Sequence, residues 1–251
     1  MLCHALSHDL RAPLRSIEGF SRVLMDSLCE KLDEQSASYF HHVIKASNDM
    51  GQLLDGLLQL MRVTRHVMHK KVIDLSELAQ RVVARMTNLN PDRNVEVTVM
   101  PGLSAFGDRL LLKLALQHLF ENAWKFTKTR KQPQICFGGN PTDNGTVFYL
   151  YDNGIGFDMT YYQRLFGVFE RLHNLPDLPG SGIGLSIVRR ILQRHGGHIW
   201  ARAVPNLGAC FWFDISNQGP YETTTLHSHD RGQLKRRDAG EDRVAAAVDQ
   251  V

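Results

Sequence analysis

DNGIGFD, Asp152 to Asp158, follows directly on an alternating apolar run that ends at Tyr151, and GSGIGL, Gly180 to Leu185, directly precedes an apolar periodicity through Ile187 and Leu192. The first reads as a glycine turn leaving a strand, the second as a glycine turn opening a helix. Glycine in such places lets main-chain amides approach an anion with no Cβ in the way, and the amides that open a helix add donors and dipole. Each box alone also fits a purely structural turn. Working outward, Val147 to Tyr151 and Gln134 to Phe137 read as short strands, Gly184 to His195 as a helix, and His198 to Ala203 with Ala209 to Ile215 as a closing hairpin. Upstream, Asp108 to Trp124 is a strongly apolar helix, Val95 to Val99 alternates like a strand, and Asp74 or Ser76 can cap a helix to about Met86. This is the pattern of an α+β two-layer sandwich with one mixed sheet and one helical layer.

Ahead of a polar stretch around Thr64 to Lys71 the character differs. From Leu2 to about Arg65, apolar residues recur at three-and-four spacing, through Leu10, Leu14, Ile17 and Leu24 and then Tyr39, Val43, Met50, Leu53, Leu57 and Leu60. The spacing predicts two helices, with Asp33 as N-cap of the second and a connection too short for anything but an antiparallel hairpin. A hairpin leaves its stripe of Leu53, Leu57 and Leu60 half covered, so pairing with a second copy into a four-helix bundle is the expected completion; docking on the rest of the same chain is the alternative. From Asn217 on the sequence is polar, with Lys235, Arg236 and Arg237 together, and reads as a mostly disordered tail with a frayed helix from Glu241 to Val248.

Composition bounds the partners. With 251 residues, 43% hydrophobic and 22% charged, the chain is neither disordered nor fibrous. A net charge of +3, from 29 Lys+Arg against 26 Asp+Glu, gives no large field to gather phosphate backbones, so nucleic acid is not the expected partner. Cys3, Cys29, Cys136 and Cys210 are scattered and read as reduced thiols. No stretch reaches the roughly 18 apolar residues of a membrane span, and the expected location is cytoplasmic.

Two further stretches carry chemistry. SHDLRAPL, Ser7 to Leu14, lies on the first predicted helix. Pro13 cannot donate to the carbonyl of Asp9, so a bend is expected within one turn of His8 and Asp9. A neutral histidine offers a nucleophilic ring nitrogen, and Asp9 can accept the other ring proton; an exposed His–Asp pair also fits a solvated face. ENAWKFT, Glu121 to Thr127, sets the amide oxygen of Asn122 one turn from the ammonium of Lys125. The first suits Mg²⁺ and the second a polyphosphate, although a helix end with a polar face reads the same way.

Taken in order, SHDLRAPL, ENAWKFT, DNGIGFD, LFGVFERLH and PGSGIGLSIV resemble the core of a two-component sensor histidine kinase over residues 2 to 216, most like the kinase modules attached to phytochrome-type and PAS-linked sensors. The resemblance implies a helical hairpin followed by a sandwich of the histidine-kinase/gyrase/chaperone ATPase type. Residues 1–66 would be the dimerisation and phosphoacceptor hairpin, truncated at its N-terminus and missing an upstream sensor module. Residues 72–216 would be the ATP-binding domain and 217–251 the tail. By the same resemblance His8 is the phosphoacceptor and Asp9 the acid that orients or deprotonates it. Asn122 is the Mg²⁺ ligand, Lys125 a phosphate contact and Phe126 an aromatic beside the nucleotide. Asp152 accepts from the adenine amino group above a floor shaped by Gly154 and Gly156. Phe166, Phe169 and Arg171 fall in the phenylalanine box, and Gly180, Gly182 and Gly184 in the lid hinge over the triphosphate. Phe166 and Phe169 are also spaced like core aromatics, and Arg171 like a surface cation. ATP and Mg²⁺ are the implied cofactors, and a second copy and a response-regulator receiver domain the implied partners.

The chain departs from the family pattern in places. His118 stands where a second Asn is usual, and Ala12 stands where kinases that also act as phosphatases carry Thr or Asn. Ala209 and Cys210 replace hydroxyl residues. Two rival functions stay open at the level of sequence: a nucleotide-binding or degenerate dimeric signalling scaffold, and an ATPase in which Glu121 serves a water nucleophile.

Overall fold

The computed structural model describes residues 2–28, 33–143, 145–171 and 180–216, with the backbone alone for residues 2–10. The tail from Asn217, including the helix expected at Glu241 to Val248, lies outside the described residues.

Helices α1 (Leu2–Ser27) and α2 (Glu34–Arg65) form an antiparallel pair. Asp33 caps α2 as the sequence predicts: its backbone is extended and its carboxylate accepts from the Ser36 amide at 2.8 Å. Helix α1 continues through Pro13. Arg11 pairs with Asp55 at 2.5 Å, and Ser47 donates to the Leu14 carbonyl at 2.8 Å, which sets the two helices in register.

The sequence places the open apolar stripe at Leu53, Leu57 and Leu60, and the structure corrects this. Leu53 and Leu60 pack against the core of the rest of the chain, leaving only Leu57 exposed. The reason is that the C-terminal half of α2 lies along α5 (Gly184–Arg194), with Leu58 and Val63 buried. The uncovered apolar side chains sit elsewhere, as Ile17, Phe20, Val23 and Leu24 of α1 and Tyr39, Val43 and Met50 of α2; Phe20 is 71% exposed.

The polar stretch after α2 contains a strand that the sequence pattern hides. Strand β1 (Lys70–Asp74) pairs antiparallel with β3 (Ser104–Asp108), yet of its side chains only Ile73 is buried, so no alternation marks it. Asp74, and not Ser76, caps α3 (Leu75–Leu89), accepting from the Glu77 amide at 2.8 Å. The Ser76 hydroxyl instead donates to the Met100 carbonyl and accepts from the Leu103 amide.

The main sheet joins β2 (Glu96–Val99), β4 (Gln134–Thr142), β5 (Gly145–Asp152), β6 (Ile199–Val204) and β7 (Gly208–Phe213) in the order β2-β4-β5-β7-β6. Only β2 and β4 run parallel, so the sheet is mixed. Ile135, Phe137, Phe148, Leu150, Phe211 and Phe213 turn one face to α3, α4 (Arg109–Phe126) and α5. Phe137 meets Phe120 of α4 edge-on at 5.9 Å and Phe148 stacks on Phe213 at 5.3 Å. Asp108 caps α4 through the Leu110 and Leu111 amides. Fully buried His195 closes the layer: its Nε2 accepts from the Asp108 amide at 2.9 Å, which places the proton on Nδ1, donated to the Ile191 carbonyl. Cys136 and Cys210 are free thiols, and no helix of the described residues is long and apolar enough to cross a membrane.

Candidate functional site

Asp152 ends β5, 2% exposed, and lines a cleft of about 700 Å³ between the sheet, α2, α4 and the start of α5. Burial pushes its carboxyl up to about 7, against the opposing pull of the Gly154 amide, which donates to Oδ1 at 2.9 Å, and of the Arg130 charge. The loop that follows is pinned on all sides. Asn153 accepts from the Gln134 amide through Oδ1 and donates to the Gln132 carbonyl through Nδ2. The Ile155 amide donates to the Phe126 carbonyl at the end of α4. Gly156 takes φ +61°, and a Cβ there would overlap the Val204 carbonyl, so the chain needs glycine for both dihedral and space.

The facing wall is one side of α4. His118, Asn122, Lys125 and Phe126 fall at intervals of four, three and one and all line the cleft. The Lys125 ammonium lies 4.7 Å from the Phe126 ring centroid, and burial lowers its pKa, aided by the Arg171 charge. The third wall is the glycine loop. Gly182 has φ +69°, and a Cβ on it would come within 2.7 Å of the Glu170 carbonyl, so the second glycine box is tied to the segment before it. Gly180 lies close to Lys125, whose Nζ would be 3.0 Å from a Cβ at that position.

Of the residues singled out in the sequence, Asn122, Lys125, Phe126, Asp152, Gly156, Arg171, Gly180, Gly182 and Gly184 line this one cleft, and Gly154 bonds to Asp152. Phe166 and Phe169 do not line it. Phe166 is buried edge-on against Tyr162 at 6.1 Å, as a core aromatic would be. Phe169 is 49% exposed with φ +65°, a left-handed backbone in the segment leading to Arg171. His8 and Asp9 lie on α1, and their side chains fall outside the described residues.

Sequence reasoning missed the side of the cleft that the hairpin supplies, and one loop cation. Arg11 of α1 and Gln59 of α2 also line the cleft. His118 Nε2 lies 3.2 Å from Gln59 Oε1, and its Nδ1 is 3.5 Å from Glu121. Arg130, between α4 and β4, donates to two carbonyls of the Asp152 loop and to the Asn206 carbonyl between β6 and β7. A lone cation in a loop has no spacing to betray it. Among the described residues no cluster of three or more His, Cys, Asp or Glu could hold a metal alone. The half-buried Asn122 amide, in a cleft with cations for an anion, fits a Mg²⁺ that arrives with phosphate, since that ion takes few protein ligands.

Residues 107–219 match the family model of histidine kinase-, DNA gyrase B- and HSP90-like ATPases, and residues 2–65 that of the His Kinase A phospho-acceptor domain. The methanogenesis regulatory histidine kinase FilI of Methanothrix harundinacea is 33% identical over 213 residues, covering 84% of this chain and 24% of FilI. The phytochrome-like protein Cph1 of Synechocystis sp. is 29% identical over 209 residues, covering 83% of this chain and 28% of Cph1. The chain therefore spans about a quarter of the length of these relatives. Among solved structures, full-length ShkA in complex with AMPPNP shares the fold at a TM-score of 0.59 and 23% identity, covering 86% of this chain and 46% of that one. The catalytic domain of histidine kinase ThkA aligns at 0.51 with 25% identity, over 60% of this chain and 99% of that domain.

Proposed function

This chain carries the catalytic core of a sensor histidine kinase, and we propose that it is an ATP-dependent protein kinase that phosphorylates His8 and hands the phosphoryl group to an aspartate of a response-regulator receiver domain. The observation that carries the proposal is the position of Arg11. It stands three residues, about one turn, after His8 on α1, and it lines the same cleft as Asn122, Lys125 and Asp152. Acceptor helix and nucleotide wall thus open on one space.

In this reading residues 1–66 are the phosphoacceptor and dimerisation hairpin and residues 72–216 the ATP-binding domain. Asp152 accepts from the exocyclic amine of adenine, Gly154 and Gly156 leave room for the ring, and Phe126 packs beside the nucleoside. Lys125 and Arg171 meet the phosphates under the loop of Gly180, Gly182 and Gly184. A Mg²⁺ held through Asn122 would offset charge on the phosphate oxygens. A ring nitrogen of His8 forms a bond to the γ-phosphorus as the bond to the β–γ bridging oxygen breaks; ADP leaves, and the proton on the other ring nitrogen passes to Asp9. Little covalent assistance is needed, since positioning and charge dominate phosphoryl transfer.

The test is incubation with γ-labelled ATP. Wild type should carry label that is acid-labile and base-stable. His8→Gln, Asn122→Asp and Asp152→Asn should each remove it while circular dichroism stays unchanged. Label that persists in His8→Gln overturns the acceptor assignment, and label that persists in both of the others overturns the nucleotide site.

A further inference from the structure

Arg130 belongs to no motif, yet it makes three bonds to main-chain carbonyls around the cleft. Nε donates to Asn153 at 2.6 Å, and one terminal nitrogen donates both to Gly154 at 2.8 Å and to Asn206 at 2.6 Å. Asn206 stands in the turn between β6 and β7 with φ +62°, and its amide donates to the Ile155 carbonyl at 2.7 Å. One guanidinium therefore fastens the Asp152 loop to a neighbouring hairpin.

The first of these bonds has a particular geometry. The Asn153 carbonyl and the Gly154 amide are the two ends of a single peptide group, and no peptide bond of the described chain is cis. Its oxygen and its hydrogen therefore point in opposite directions. The oxygen receives the Arg130 guanidinium, and the N–H donates to Asp152 Oδ1 at 2.9 Å. A cation polarises that peptide so that its N–H becomes a stronger donor, and the carboxylate at the far end is the group that benefits. We infer that Arg130 is a positioning residue for base recognition, which keeps Asp152 in its ionised, accepting form by acting through the peptide group between Asn153 and Gly154.

The surroundings of Asp152 support the assignment. Burial pushes Asp152 up to about 7, and Arg130 is the charge that opposes it. The other titratable groups facing it are Tyr151 on its own strand and Cys210 on β7; burial raises both, so neither carries charge near neutral pH. From α4 the neutral Phe126 carbonyl lies against Gly154 and accepts from the Ile155 amide, and the charged group that this helix brings to the cleft is Lys125. Compensation for the buried carboxylate thus comes first from the Gly154 amide and then from the Arg130 charge behind that same peptide group.

The inference rests on the reading of the cleft as a nucleotide site, and the experiment separates the two. ADP affinity of the full chain is measured by calorimetry from pH 5.5 to 8.5. Wild type should bind more tightly as pH rises through about 7, and wild type that binds no ADP at any pH overturns the nucleotide reading itself. Arg130→Gln should weaken binding at pH 7 by about tenfold and move the midpoint of the pH profile upward. Arg130→Lys keeps the charge with fewer bonds, so it should lose affinity while holding the midpoint near that of wild type. A purely structural role would lower affinity equally at every pH, and an unmoved midpoint in Arg130→Gln overturns the inference. Should that variant not fold, the wild-type Arg130 Nε–H followed by NMR decides: its proton should titrate with the midpoint of the binding profile, and an Nε–H resonance that stays constant breaks the relay.

Discussion

The buried carboxylate of Asp152 costs this protein stability, and in the proposed reading what that cost secures is recognition of the base. The ordinary value for Asp152 is 3.8, and its folded value is about 7. A raised folded pKa means that stability is complete below the unfolded value and declines as pH rises toward the folded one, so the protonated group is the comfortable one. Above pH 7 the folded protein carries the full cost of the ion, about 2–4 kcal/mol. Asp152→Asn keeps an oxygen for the Gly154 amide without the charge, so the variant should melt several degrees above wild type at pH 8. The difference should vanish near pH 4, and a scan of melting temperature against pH checks both ends. Asp152, Asn122 and Lys125 were legible in the sequence because glycine turns and helical spacing announce them. Arg130 was not, because its three acceptors lie on two loops that only the fold brings together. The alternative of Phe169 as a core aromatic rests on spacing alone, and its half-exposed side chain on a left-handed backbone emerges only in the fold.

Helix existence and the strands of the main sheet followed from periodicity, which failed for the small sheet of β1 and β3. Strand β1 shows the failure, with Lys70, Lys71 and Val72 exposed and only Ile73 buried. Helix α2 shows a subtler one, since its regular apolar spacing gave no hint that one end serves the hairpin and the other serves α5. The contact there depends on Gly56: a Cβ at this position would overlap Ile183, which is fully buried at the entrance of α5, directly after the Gly182 turn. Gly56→Leu should force the two helices apart at an overpacking cost of about 1–3 kcal/mol. Hydrogen exchange of the first turn of α5 is the measurement, and acceleration there with β4 and β5 unchanged is the expected result. Protection equal to wild type would mean that the seat adapts without separation.

At the scale of the molecule, the apolar face of Ile17, Phe20, Val23, Leu24, Tyr39, Val43 and Met50 has no cover among the described residues. A patch of this kind on a helical hairpin marks an association surface, and the proposed occupant is a second copy, which would make a four-helix bundle. The chain should sediment as a dimer at tens of micromolar, and Phe20→Glu, placing a charge at the centre of the patch, should shift it to monomer; a wild-type monomer at that concentration contradicts the proposed assembly. One end of the same hairpin is firmly tied. Arg194, in the last turn of α5, donates to the carbonyls of Val63 and His66, and His66 meets the Asp108 carboxylate at 3.1 Å. Those ties make the end of α2 a fulcrum. From Glu34 to Arg65 the helix is about 48 Å long, whereas the level of Asp55 and its partner Arg11 lies only about 15 Å from the tied end. A tilt of about 10° around the fulcrum would carry the far turn through about 8 Å and the Arg11 level through about 2.5 Å. A coarse swing at the far end of the hairpin would thereby reach the cleft divided by about three, as through a reduction gear.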